Sequence, residues 1–315
     1  MKSSSTETFE NPVFEPIFAD PTAVRTDDGT YYAYATEDDW HDGNGTQLVP
    51  IVKSTDFVNW ECVGEAFEKR PEWKEYGNIW APDISKYRGT YYLYYSVSTW
   101  GGSNPGIGLA TADSPEGPFE DRGKLFTLDE IGVENSIDPF FYRDGDTPYL
   151  FWGSFHGIYG VELTEAGFDV AGEPFQIAGD AFEAAHILRR DGAYYFFGSS
   201  GSCCEGMEST YRITVGRADS LNGPYTDGEG NHLLNQQGRL VVGGTEQFVA
   251  PGHNTVVTDD TGDDWLLYHA YEDPNYYHEG ILRRALMTDK LVWSDDFLHV
   301  SERNPSKEVP VPTVE

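Results

Sequence analysis

GTYYAYAT, residues 29–36, sets a turn glycine ahead of a run of tyrosines, and the plan returns four times along the chain. The copies are GTYYLYYS (89–96), DTPYLFWGS (146–154), GAYYFFGSS (192–200) and DDWLLYHA (263–270). Each run is too short and too rich in Tyr, Phe and Trp for a helix, and each follows turn residues. They read as buried strands. Other pieces recur between them: GIGLATADSPEGPFED (106–121) aligns with ITVGRADSLNGPYTDG (213–228). IVKSTDFVNWECVG (51–64) is a looser copy with Trp60 at the Gly-Pro-aromatic corner. Every unit therefore holds an inner segment, an aromatic strand, a further strand and an outer strand. Four-stranded antiparallel units repeated radially make a β-propeller, and five units predict five blades in an all-β chain. A sandwich with aromatic strands would not repeat the order of the motifs. No Pro/Ser-rich linker or composition shift divides residues 1–315, so a single domain is expected.

Composition agrees and narrows the partners. The 315 residues include 34 Gly, 18 Pro and 15% aromatics, a mixture that favours strands and turns. With 53 acids against 21 bases the net charge is −32, which opposes nucleic acid and anionic membrane surfaces but not a neutral partner. The acids lie in short scattered groups, as on a solvated surface suited to high salt, where self-repulsion is screened. Oligomeric state is not legible. Cys62, Cys203 and Cys204 cannot form a disulfide framework without leaving one over, and read as packing thiols. No stretch approaches the ~18 apolar residues of a membrane span. The opening MKSSSTETFENPVF has no apolar core of a signal peptide, so a cytoplasmic setting is expected, or a secreted one if a leader has been removed.

Ahead of the five aromatic strands, about eight to twelve residues upstream, stand Asp20 in FADP, Asp83 in WAPDI, Asp138 in SIDP, Glu183 in FEA and His253 in PGHN. In a propeller the innermost strands face the axis, so equivalent positions meet at one mouth of the channel. Four acids and a histidine gathered there are costly as mere packing. Clustered carboxylates push one another's pKa values apart, so that one stays protonated while another stays ionised. Glycosidic bond cleavage needs that division: a proton for the leaving oxygen and an activated water on the opposite face.

These motifs resemble glycoside hydrolase family 43, most closely over NIWAPDISKYRGTYYLYYSVSTWGGSNPGIGLATADSPEGPF (78–119) and GSCCEGMESTYRITVGRADSLNGPY (201–225), which look like its arabinan-degrading branch. The resemblance extends from NPVFEPIFADPTAVR to RRALMTDKLVW. It implies an inverting enzyme acting on α-L-arabinofuranosyl linkages, with Asp20 as general base, Glu183 as general acid and Asp138 tuning and orienting the acid. A β-xylosidase or mixed-specificity exo-enzyme and a non-catalytic glycan-binding propeller are the alternatives. Trp80, Trp100, Ser154, His156 and Arg284 are candidate sugar contacts, with Phe155 and Arg283 beside two of them. The resemblance also implies a hydrated cation, commonly calcium, at His253; one imidazole would leave most of its ligands to water. No organic cofactor is expected. Two departures stand out: FEAAH has Ala185 where the family usually has proline, and APGHN has Ala250 where it usually has glycine. The long segment TEDDWHDGNGTQLVP (36–50) is placed to close one end of a cleft, which would favour exo action.

Overall fold

The computed structural model describes residues 7–294 and 296–313. Five antiparallel four-stranded sheets form the body of the fold, each running outward from the axis in chain order. Blade I is Thr22–Arg25, Tyr31–Tyr34, Pro50–Ser54 and Glu61–Glu65. Blade II is Asn78–Tyr87, Thr90–Ser98, Gly106–Ala112 and Glu120–Thr127. Blade III is Phe140–Asp144, Thr147–Trp152, Ile158–Glu162 and Phe175–Ala178. Blade IV is Glu183–Arg190, Ala193–Ser200, Arg212–Ala218 and Arg239–Val242. Blade V is Phe248–Thr258, Asp264–Glu272, Ala285–Ser294 and Phe297–Val300. The five innermost strands touch their neighbours all the way round, blade V meeting blade I, so the ring is closed. Thr8–Glu10 pairs with Glu308–Pro310 and ties the two ends of the chain together at that seam.

The expected aromatic runs are the second strands, and they explain the ring's stability. Side chains alternate between the two faces of a strand, so each run feeds the packing on both sides of its blade. One apolar cluster fills each of the five gaps between neighbouring blades. Tyr34 and Tyr95 meet between blades I and II, and Tyr94 packs with Trp152 between II and III. Each fully buried large side chain contributes about 1.5–3 kcal/mol against exposure. Turn chemistry sets the register. Arg88-Gly89 and Asp191-Gly192 have both residues at positive φ (54° and 86°; 51° and 84°), the two-residue turn whose twist matches a hairpin. The aligned SPEGPF and SLNGPY segments make the same turn, the N–H of Gly117 donating to the Ser114 carbonyl and that of Gly223 to the Ser220 carbonyl.

Candidate active site

The axis end of each inner strand carries one residue forced into the left-handed region: Asp20 (φ 55°), Ala81 (43°), Asp138 (59°), Ala184 (57°) and His253 (49°). None is glycine, and each such residue costs on the order of 1–3 kcal/mol, retained where surrounding contacts over-determine it. The backbone is bulged there in blades II, IV and V, at Trp80/Asp83, Glu183/His186 and Gly252/Thr255. Bulges re-aim side chains beside active sites. The freed N–H groups find partners on the second strand of the preceding blade. Ala81 donates to Thr36 Oγ1 (2.8 Å), Asp138 to Ser96 Oγ (2.9 Å), His253 to Ser199 Oγ (2.9 Å) and Asp20 to His269 Nδ1 (3.0 Å).

Blade IV breaks this pattern, and the break builds the site. The Ala184 N–H goes to the Asp138 carboxylate instead. That leaves the hydroxyl of Ser154, the matching residue of blade III, free to donate to Glu183 Oε2 at 2.7 Å. Tyr211 donates to the other oxygen, Oε1, at 2.5 Å. Two hydrogen bonds thus orient Glu183 in place of the missing proline.

Asp20, Asp138, Glu183 and His253 line one cleft of about 620 Å3, together with Thr36, Trp80, Trp100, Ser154, His156, Cys203, Cys204 and Arg284. Asp83 does not join them, contrary to the expectation that all five aligned positions meet at the mouth. It lies two residues past the left-handed Ala81, buried between inner strands, where it accepts from Phe141 N–H (2.8 Å) and Thr22 Oγ1 (3.1 Å). Burial pushes its carboxyl up to about 7.

The carboxylates in the cleft sit in opposed environments. Asp20 is buried, which alone would raise its pKa, yet Arg284 and His253 together hold it well below the usual range. Thr36 Oγ1 donates to its Oδ2 at 2.6 Å, while His253 Nδ1 and Arg284 Nη1 stand 3.3 and 3.6 Å from Oδ1. His269 Nδ1 is also 3.5 Å from that oxygen, but it already accepts the Asp20 N–H and burial pushes it down to about 3. His269 is therefore a neutral acceptor, not an ion partner. Glu183 goes the other way: burial raises it, against the pull of Tyr211 and Ser154. Asp138 is raised to about 8 by burial, opposed by His253, and it feels Glu183 more strongly than Asp20.

Desolvation opposes the charge on His253, but the surrounding carboxylates, Asp20 first, raise it to about 9. Its Nδ1 is turned to Asp20. Among the described residues no three His, Cys, Asp or Glu side chains are grouped to hold an ion. A cation beside His253 would therefore take most of its six to eight oxygen ligands from water, as the hydrated ion expected there does.

Of the other candidates, Trp80 and Trp100 sit at one end of the cleft with ring centroids 5.7 Å apart, Trp100 78% exposed. His156 stands at the rim, its Nδ1 2.9 Å from Glu134. Arg284 lies against both Asp20 and Cys204. Arg283 turns away, paired with Glu15 and Glu272. His186, two residues past Ala184, is packed on Phe140 at 4.6 Å and is neutral, pushed down to about 3 by burial. The 36–50 segment folds as a small hairpin, Asp38–Asp39 with Thr46–Gln47, and supplies Thr36 alone of its residues to the cleft lining.

Sequence reasoning missed Tyr211, Thr36 and His269. A signal for two of them was present: Thr36, Ser96, Ser154, Ser199 and His269 are the polar residues near the ends of the five aromatic runs. Tyr211 carries no such mark, because its place depends on Gly252. A Cβ there would lie 1.8 Å from the Tyr211 ring.

The chain matches the family described as glycosyl hydrolases family 43 over residues 9–298. It is 34% identical to the extracellular endo-α-(1→5)-L-arabinanase 1 of Bacillus subtilis, over 81% of this chain and 80% of that protein. It is also 34% identical to the extracellular exo-α-(1→5)-L-arabinofuranosidase ArbA of Cellvibrio japonicus, over 82% and 80%. In structure it is similar to an α-L-arabinanase of Cellvibrio cellulosa complexed with arabinohexaose, with a TM-score of 0.80, 30% identity and coverage of 92% and 96%. Two relatives named as extracellular overturn the cytoplasmic expectation. That expectation rested on the lack of an apolar run in the first residues, a feature that carries no information about a leader already removed.

Proposed function

This chain belongs to glycosyl hydrolases family 43, and from that premise we propose that it hydrolyses the α-1,5-L-arabinofuranosyl bonds of arabinan outside the cell. It is a glycoside hydrolase, and its endo- and exo-acting relatives are named for arabinan. The observation that carries the reading is the opposed pair in one cleft: Asp20 held ionised by Arg284 and His253, and Glu183 raised toward its protonated form by burial.

In this reading Asp20 takes a proton from water on one face of the arabinose ring. Glu183, protonated, gives its proton to the leaving oxygen on the other face, and the anomeric centre inverts. The Ser154 hydroxyl donates to Glu183 when it is ionised and can accept from it when it is protonated, so the acid keeps its place through the cycle. The charge of Glu183 is among the influences that raise Asp138, so the two carboxyls oppose ionising together. Trp80 and Trp100 offer flat faces for sugar rings beyond the cleaved bond.

Glu183→Gln is expected to cut turnover of arabinan by roughly 10²–10⁴-fold, the typical weight of a general acid. It should spare an aryl arabinofuranoside whose leaving group needs no proton. Asp20→Asn should disable both substrates. Equal loss on both substrates in Glu183→Gln would remove Glu183 from the acid role, and a first-formed product that retains the α configuration would exclude inversion.

A further inference from the structure

The sequence reads Cys203 and Cys204 as packing thiols, and Cys203 does pack against the cluster of Tyr211, Ala250 and Tyr271, but the pair also reaches the cleft. Both line the cleft, and their sulfurs lie 2.6 Å apart on one face of the wall. Cys204 holds a positive φ of 67°, a strained conformation for a non-glycine residue, which turns its side chain back beside that of its neighbour. Arg284 Nη1 donates to Cys204 Sγ at 3.8 Å, and the same guanidinium stands 3.6 Å from Asp20. The third thiol, Cys62, is exposed on the outermost strand of blade I and supplies an internal comparison.

We propose that Cys203 and Cys204 form a vicinal dithiol site in the wall of the cleft that takes thiophilic ligands and small neutral disulfides, and whose occupation weakens the hold on sugar. The two sulfurs are unequal. The thiol hydrogen bond from Cys203, with Arg284 adding to it, holds Cys204 toward its thiolate, while Cys203 is raised. Cys204 is thus the attacking sulfur and Cys203 the resolving one. In exchange, the Cys204 thiolate attacks one sulfur of a low-molecular-weight disulfide and releases one thiolate. Cys203 then attacks the mixed disulfide, closing a Cys203–Cys204 bond and releasing the second thiol. Two protein thiols are oxidised by two electrons and one external disulfide is reduced to two thiols. A trivalent arsenical oxide needs no oxidant: it condenses with both thiols and releases water. Consecutive Cα atoms are ~3.8 Å apart, below the ~4.4 Å lower end of ordinary disulfides, so the closed form is the labile kind that reductants reopen. The net charge of −32 favours neutral disulfides over anionic ones as partners. An oxidising extracellular setting would supply them.

The test uses the full chain as Cys62→Ser, so that only the pair remains. Phenylarsine oxide should add once, remove both thiols from titration, resist a monothiol and be released by dithiothreitol, as read by intact mass. Hydroxyethyl disulfide should give a product lighter by two hydrogens with no mixed adduct remaining. The arsenical adduct should lower kcat/KM on arabino-oligosaccharide by about tenfold or more, reversed by dithiothreitol. Adding Cys203→Ser should abolish the monothiol-resistant adduct while the untreated variant keeps the Tm of the parent. Failure of the folded protein to form either product, or an adduct that leaves kcat/KM unchanged, would overturn the proposal. Lack of turnover by the untreated enzyme would sink the arabinan reading and leave the sulfur site to be decided by mass alone.

Discussion

Tyr211→Phe removes one oxygen from the cleft and leaves the ring's shape intact. That oxygen is half of what orients Glu183: Tyr211 donates to Oε1 at 2.5 Å and Ser154 to Oε2 at 2.7 Å. Both bonds favour the ionised carboxylate and so pull its pKa down, against burial, which raises it and wins. A hydrogen bond to a charged group contributes about 1.5–3 kcal/mol, and one pKa unit corresponds to about 1.4 kcal/mol. Losing the Tyr211 bond should therefore raise Glu183 by about 1–2 units. A general acid works protonated, so a higher pKa extends activity upward in pH. The alkaline limb of kcat/KM, measured on arabinan or an aryl α-L-arabinofuranoside, should move up by about that amount, and the acid limb, set by Asp20, should stay. Ser154→Ala should move the same limb in the same direction. An alkaline limb that stays put or moves down would refute the claim that these hydroxyls set the proton affinity of the acid.

Three further outcomes follow from the same geometry. Arg284→Ala removes the largest influence lowering Asp20, so the pKa of the base should rise and the acid limb of kcat/KM should move to higher pH; an unchanged acid limb would separate that limb from Asp20. Gly252→Ala puts a Cβ 1.8 Å from the Tyr211 ring, and overpacking of this kind costs about 1–3 kcal/mol or more. Calorimetry should show a lower Tm and turnover should fall with it, whereas a wild-type Tm would mean that Tyr211 can move aside freely. With a net charge of −32, Tm should climb with potassium chloride as self-repulsion is screened; a Tm independent of salt would show that the surface acids do not strain the fold.

The repeat was legible in the chain because it is a matter of local chemistry. An aromatic run behind a Gly turn can form a buried hairpin strand in only one way, and five copies in order leave one radial arrangement. The positions of Asp20, Asp138, Glu183 and His253 came with the repeat, since each stands eleven or twelve residues ahead of the first aromatic of its strand. What spacing could not give is which of the aligned groups share a space. Asp83 stands only eight residues ahead of its first aromatic, Tyr91, against eleven or twelve for the others; two residues beyond a left-handed Ala81, it drops between inner strands and out of the cleft. Glu183 reaches the cleft from one residue before the equivalent position, held by Ser154 from blade III and by Tyr211, which lies beyond its own blade's second strand.

The sequence by itself determined the blades, their number and the acids at their inner ends, because turns, strand periodicity and aromatic packing act between residues close in the chain. The tertiary structure alone decided the charge states these acids favour, Asp20 held low in pKa and Glu183 raised. Those states depend on Arg284 and His253 from blade V reaching Asp20 of blade I, and on hydroxyls from two blades meeting at Glu183. Charge and burial act through space, so the opposed proton affinities of these carboxylates arise only once the ring has closed.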